Sequence, residues 1–321
     1  MPEKVLSLCM IVRDDAKDLD RCLKSCSTLF DEIIIVDTGS QDNSKEVAEK
    51  YGAKIFDFVW VDDFAKARNF AFQQATCPWI MWLDADDLIK KDDLDKLFDL
   101  KERLLHSNKN AIMLIYHYNL HVKGYNYRIV RNDPGIRWKY PIHETLIFDK
   151  CVSEKFEAAV HHLGASGMAR NIAILKKAYA GEWKDDGRIQ HYLAREYCYT
   201  GEHEKAVEMY SKHLRNIPAY TRCGAYYYYA ASCFKTGRYL KALDLCDYAN
   251  KKHPIFADFY CLMGSHYRSQ RDWSKSRECF TKALSHSYPT TTHEVFMLQK
   301  NYGSIPKENL KLLEYCIYAE N

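Results

Sequence analysis

Trp79-Ile80-Met81-Trp82-Leu83-Asp84-Ala85-Asp86-Asp87 decides how this chain is read, because five large apolar residues run straight into three carboxylates. An unbroken apolar run of that length, closed by polar residues, predicts a strand buried on both faces. Acids gathered at its end repel one another, so something cationic should neutralise them. Hard oxygen ligands suit Mg²⁺ or Mn²⁺, ions that take one or two carboxylates together with substrate phosphates. The competing explanation is an acidic start to the helix expected near Asp92, where carboxylates are favoured. Taken alone, the run does not choose between the two.

Its surroundings narrow the choice. Val5–Val12, Ile33–Val36, Ala53–Phe58 and Ala111–Ile115 read as further buried strands, and Leu19–Cys26, Ser44–Tyr51, Phe64–Ala75 and Asp92–Leu105 carry helical spacing between them. That β-α-β-α order predicts a mostly parallel, Rossmann-like sheet. Ligands of such sheets bind beyond the carboxyl ends of the strands, which points at Arg13-Asp14, Asp37-Thr38-Gly39-Ser40 and Asp84-Ala85-Asp86. Asp37 at a strand end suits the N–H of a nucleobase, while Ser40 and Asp42 are placed to cap the next helix. Asp62-Asp63-Phe64-Ala65-Lys66-Ala67-Arg68-Asn69 sets Arg68 on a helix ahead of the acidic strand, as a fixed cation for a base or phosphate or as part of a solvated face.

Beyond about residue 168 the apolar period becomes purely helical. Gly201, Gly237 and Arg271 stand 36 and 34 residues apart, and the match spreads outward from them: Ala194, Ala230 and Gly264; Ala206, Ala242 and Ser276; Tyr210, Cys246 and Phe280. Pro218 and Pro254 each close a unit. Over about Ile189–Ser287 this resembles tetratricopeptide repeats, in which small residues let paired helices approach and a large one fills the gap. Arg271 and Ser276 depart from the pattern as a terminal repeat would. Of the four tyrosines Tyr226–Tyr229, two are expected in the helical core. The expected domains are 1–165 (α/β), 166–188 (a linker helix) and 189–321 (all-α repeats with a C-terminal cap).

Composition excludes other classes. With 46 basic and 43 acidic residues in 321, no whole-chain field favours nucleic acid or an anionic membrane. The opening apolar stretch is strand-length, so neither a signal peptide nor a transmembrane segment is expected. Twelve scattered cysteines suit reduced core thiols in a cytoplasmic protein; Cys22 and Cys26 are followed by no finger-like partner set.

Four ordered segments then resemble glycosyltransferase family 2 of the GT-A fold, in the tetratricopeptide-bearing branch that includes the peptide S-glycosyltransferases of glycocin biosynthesis. They are Ser7-Leu8-Cys9-Met10-Ile11-Val12-Arg13-Asp14, Val36-Asp37-Thr38-Gly39-Ser40-Gln41-Asp42, Asp63–Asn69 and Leu83-Asp84-Ala85-Asp86-Asp87. The resemblance implies an inverting hexosyl- or pentosyltransferase using a UDP-sugar and Mn²⁺ or Mg²⁺. It implies that Asp37 binds uracil, that Val12, Arg13, Arg68, Asp84 and Ala85 complete the donor site, and that Asp86 is the metal ligand, with Asp87 no more than the start of the next turn. Arg128–Trp138 and Ile142-His143-Glu144 are also similar to this branch; Asp133-Pro134-Gly135 is a turn in which glycine would take a positive φ. Glu144 is then the expected general base, a role that requires partial burial because an exposed glutamate is a weak base, and its alternative is a salt bridge to a nearby arginine. His161-His162 before Leu163-Gly164 matches a His-x-Gly element, which makes His162, one position uncertain, a second metal ligand.

The implied acceptor is a glycan, peptide or protein, with the repeats as an acceptor groove or a homodimer interface. Two rivals remain. One is a repeat-based binding or scaffold protein with a degenerate nucleotide-sugar domain. The other is a nucleotidyltransferase, disfavoured because Arg13-Asp14-Asp15-Ala16-Lys17 lacks the glycines of a phosphate loop.

Overall fold

A computed structural model of the chain describes residues 4–117, 123–164, 168–288 and 299–320. The chain divides into two compact units, Met1–Gly167 and Met168–Asn321.

The first unit runs β1 (Leu6–Val12), α1 (Ala16–Cys26), β2 (Glu32–Asp37), α2 (Ser44–Lys50), β3 (Lys54–Asp57), α3 (Phe64–Gln74), β4 (Trp79–Trp82), β5 (Asp87–Leu88), α4 (Lys91–Leu104), β6 (Ala111–His117), β7 (Lys123–Arg131), β8 (Ile136–Lys139), β9 (Thr145–Phe148) and β10 (Ser153–His162). Eight strands form one sheet in the order β3-β2-β1-β4-β7-β6-β10-β5, while β8 and β9 make a separate hairpin. β3, β2, β1 and β4 are mutually parallel; β7 reverses direction between β4 and β6, and β10 lies parallel to β6.

The sheet is covered on both faces, which is why its central strands read as continuous apolar runs. Leu8, Met10, Ile33, Ile35, Trp79 and Met81 share one core with Leu19 and Leu23 of α1 and Leu97 and Leu100 of α4. Their sequence neighbours Cys9, Ile34, Val36, Ile80 and Trp82 point the other way, onto Ala71 and Phe72 of α3 and Trp138 and Leu146 of the hairpin.

Two expectations need correction. Asp87 is not merely the start of a turn: it opens β5 and is fully buried, with 0% exposure. In the Asp133–Ile136 turn Gly135 is absent from the positive-φ residues; its lack of a side chain matters because a Cβ there would come within 3.0 Å of Asp149 Oδ2.

The second unit is helical: α5 (Met168–Ala180), α6 (Gly187–Tyr199), α7 (His203–His213), α8 (Ala219–Lys235), α9 (Tyr239–Lys252), α10 (Asp258–Ser269), α11 (Trp273–Leu284) and α12 (Ser304–Glu320). α6–α7, α8–α9 and α10–α11 pack as the three repeat pairs, with α5 against α6 and α12 against α11. The repeat equivalence survives at backbone level: Gly201, Gly237 and Arg271 have φ of +77°, +75° and +58°. In the third pair Gly264 is small because a Cβ would lie 3.0 Å from the Phe280 ring. Of the four consecutive tyrosines, Tyr228 and Tyr229 are buried. Among the described residues no helix is long and apolar enough to cross a membrane.

Candidate active site

The ends of β1, β2 and β4 bring the expected donor residues to one edge of the sheet. Register pairs Val12 with Asp37, and the Val12 carbonyl accepts both the N–H and the hydroxyl of Thr38, at 2.9 and 3.1 Å. The loops after β1 and β2 then lock together. Asp14 N–H donates to Ser40 Oγ at 3.0 Å, Gln41 N–H to Asp14 Oδ1 at 2.6 Å, and Ala16 N–H, the first of α1, to Asp42 Oδ2 at 3.0 Å. Asp42 Oδ1 also takes the Ser44 N–H, but the N-cap position of α2 is Asn43 and carries no side-chain cap bond, so neither Asp42 nor Ser40 is the cap; Ser40 serves the neighbouring loop. Asp14 holds a φ of +53°, a conformation that these bonds support.

Asp37 is only 2% exposed. Its Oδ1 accepts the N–H groups of Gly39 and Ser40 at 2.9 and 3.0 Å. Burial would raise its pKa, but the bonds from Ser40 and Gly39 and the charge of Lys45 outweigh that and lower it. The Arg13 side chain is exposed, with Nε 3.7 Å from Asp14 Oδ2, and Ala85 is buried in the turn after β4.

Arg68 is the pivot between the acidic run and the hairpin loop. Its Nη2 donates to Asp84 Oδ1 and its Nε to Glu144 Oε1, each at 2.7 Å. The guanidinium carbon lies 4.9 Å from the Trp82 ring centroid and 5.0 Å from that of Trp138, so flat aromatic faces fix the fork. Burial works against the Arg68 charge, but Asp84 and Glu144 outweigh it and raise its pKa further. Burial pushes Asp84 up, and Arg68 followed by Arg128 pulls it below its ordinary value.

The Glu144 side chain is 14% exposed and makes the ion pair with Arg68 that was the alternative reading. Its Oε2 receives no hydrogen bond from the described residues. Asn69, next to Arg68, ties the same hairpin to α3: its Nδ2 donates to the Trp138 carbonyl at 2.9 Å and its Oδ1 accepts the Trp138 N–H at 2.8 Å. The Phe64 N–H reaches the Pro141 carbonyl at 2.8 Å. Positive φ at Tyr140 and His143 (+78° and +50°) marks the loop so held as strained.

The acidic run meets β10 through β5. Antiparallel pairing sets His162 opposite Asp87 and His161 opposite Leu88. His162 Nδ1 comes within 3.3 Å of Asp86 Oδ1 and 3.4 Å of Asp87 Oδ1, and these three residues form a compact potential cation site. His161 points elsewhere, with Nε2 3.9 Å from Asp93 Oδ2 and its ring stacked on His117. The carboxylates of Asp86 and then Asp87 raise the His162 pKa to about 10.

Two observations fit a divalent cation here. His162 Nδ1 is buried yet makes no hydrogen bond among the described residues, although two carboxylates face it. Gly164 lies against Asp86 so closely that a Cβ would fall 1.6 Å from Oδ2, and the Leu163 N–H holds the Asp86 carbonyl at 3.0 Å. An imidazole nitrogen with carboxylate oxygens is an acceptable donor set for Mn²⁺.

Sequence reasoning gave no role to Tyr116, Arg128 or Trp138. Arg128 was visible only inside the run Arg128-Ile129-Val130-Arg131, where a central strand position flanked by apolar residues was the available sign of burial.

Residues 7–164 match the family model for glycosyl transferase family 2. A TPR repeat-containing protein of Synechococcus elongatus is 39% identical over 146 residues, covering 43% of this chain and 34% of that protein. An uncharacterized glycosyltransferase of Rickettsia bellii is 25% identical over 203 residues, covering 57% and 67%. The prophage-derived glycosyltransferase SunS of Bacillus subtilis is 24% identical over 225 residues, covering 64% and 52%. The chain thus spans about a third of the cyanobacterial relative and about half of SunS. With its mostly parallel sheet followed by helical repeats, the chain carries in its first unit, over residues 7–164, a glycosyl transferase family 2 domain.

Proposed function

We propose that the chain is an inverting, metal-dependent glycosyltransferase that moves a hexosyl or pentosyl group from a UDP-sugar to a glycan, peptide or protein acceptor. One observation carries this: Asp86, in the turn after β4, and Asp87, the first residue of β5, meet His162 of β10 around an imidazole nitrogen that has no hydrogen bond among the described residues. The similarity to relatives described as glycosyltransferases supports it.

Asp86 and His162 would hold Mn²⁺ or Mg²⁺, with Asp84 on the nucleotide side. Bound there, the cation supplies charge to offset that of the leaving diphosphate. Asp37 offers Oδ2 to the uracil N–H, with Val12, Arg13 and Ala85 at the same sheet edge. Arg68 pairs with both Asp84 and Glu144 through one guanidinium. The acceptor oxygen or sulfur attacks the anomeric carbon from the face opposite the departing UDP, and its proton passes to Glu144 Oε2. The repeats serve as an acceptor surface or a homodimer interface.

Release of UDP from a panel of UDP-sugars, with Mn²⁺ and with a chelator, tests the proposal. Metal-dependent release from at least one donor is expected. No release from any of them would favour the binding-protein alternative.

A further inference from the structure

Asp87 shares the cluster with Asp86 and His162, but its own bonds set it apart. Oδ2 accepts Arg128 Nη1 at 3.0 Å and the Asp84 N–H at 2.9 Å, while Oδ1 accepts the Tyr116 hydroxyl at 3.0 Å. Arg128 is 1% exposed; its guanidinium carbon sits 3.7 Å from the Trp82 ring centroid and 3.9 Å from that of Tyr116.

From this geometry we infer that Tyr116 and Arg128 are positioning residues of the cation site. They clamp Asp87, and through it the turn that presents Asp86 and the strand pairing that presents His162. The inference rests on the cation site proposed above. Three neighbouring carboxylates would repel one another; Arg68 pairs with Asp84 as well as with Glu144, and Arg128 pairs with Asp87, which leaves Asp86 as the acid of the run with no arginine partner among the described residues. A buried ion pair is weak as a source of stability because desolvation offsets its attraction, and a registry role is the better-attested use. Partners outside the ligand shell orient ligands in the same way at other metal sites.

Titration of the full chain with Mn²⁺, followed by the free-ion electron paramagnetic resonance signal, tests it. Tyr116→Phe removes one oxygen and is expected to weaken Mn²⁺ binding about tenfold, and Arg128→Lys, which keeps the charge but not the planar fork, by at least as much. Tyr51→Phe removes a comparable hydroxyl–aspartate bond to Asp20, 2.9 Å long and outside the cluster, and should leave affinity unchanged. Wild-type affinity in Tyr116→Phe or Arg128→Lys overturns the inference, as does an equal loss in Tyr51→Phe. Absence of Mn²⁺ binding by the wild type overturns the cation site itself.

Discussion

Gly164 has no side chain to offer chemistry, yet the Asp86 carboxylate occupies the place its Cβ would take. Alanine is conformationally acceptable there, since Gly164 is not among the positive-φ glycines, so Gly164→Ala should act by swinging Asp86 aside. Isothermal titration with Mn²⁺ should show a loss of about tenfold or more in this variant. Glu144→Gln keeps the shape and one acceptor oxygen for Arg68 but cannot take a proton. Steady-state kinetics should show kcat lowered by about 10²–10⁴ with the donor KM little changed, whereas an unchanged kcat would leave Glu144 only its ion pair. Asp86 and His162 were legible as a pair because each lay in a motif. Asp87 was not, because three carboxylates in a row look alike until the partners from β6 and β7 show which one is buried.

At the scale of elements, Glu32 gathers the parallel strands at the sheet end remote from Asp37 along β2. It accepts bonds from Ser7 Oγ of β1 at 2.7 Å, Lys54 Nζ of β3 at 2.6 Å, and the Thr76 N–H before β4 at 2.9 Å. Burial would raise its pKa, but Lys54, Thr76 and Ser7 bring it from 4.5 down to about 2. A carboxylate depressed on folding contributes stability above its unfolded pKa and loses it as pH falls through the folded one. Roughly 2–3 kcal/mol should therefore disappear between pH about 4.5 and about 2, measured as urea unfolding against pH, and Glu32→Gln should flatten that window. In the repeats, Gly237 has φ +75° with nothing within 4 Å of a Cβ, so Gly237→Ala introduces backbone strain alone. A loss of about 1 kcal/mol is expected in the unfolding of the helical unit. The central parallel strands and the helices were readable because burial on both faces writes a solid apolar run. Two-residue β5 and half-exposed β7, β8 and β9 leave too little pattern to read, and β5 is the strand that brings His162 to the acids.

For the whole molecule, the apolar period changes near residue 168, and the chain forms two compact units, Met1–Gly167 and Met168–Asn321. The ordering of four short segments carried the family, since the folds that share paired acids differ in what precedes and follows them. Separate roles for Asp84, Asp86 and Asp87 could be expected from the motif, but their partners could not, because pairs such as Arg68 with Glu144 and Arg128 with Asp87 are distant in sequence. The central claim is that Asp86 and His162 hold a divalent cation for a UDP-linked donor. Thermal unfolding with UDP, in the presence of Mn²⁺ or of chelator, measures this most directly, because only a ligand bound to the folded state raises the midpoint. The expected result is a rise with UDP and Mn²⁺ together that is lost with chelator, in Asp86→Asn and in His162→Ala; an equal rise without metal, or in Asp86→Asn, would contradict it.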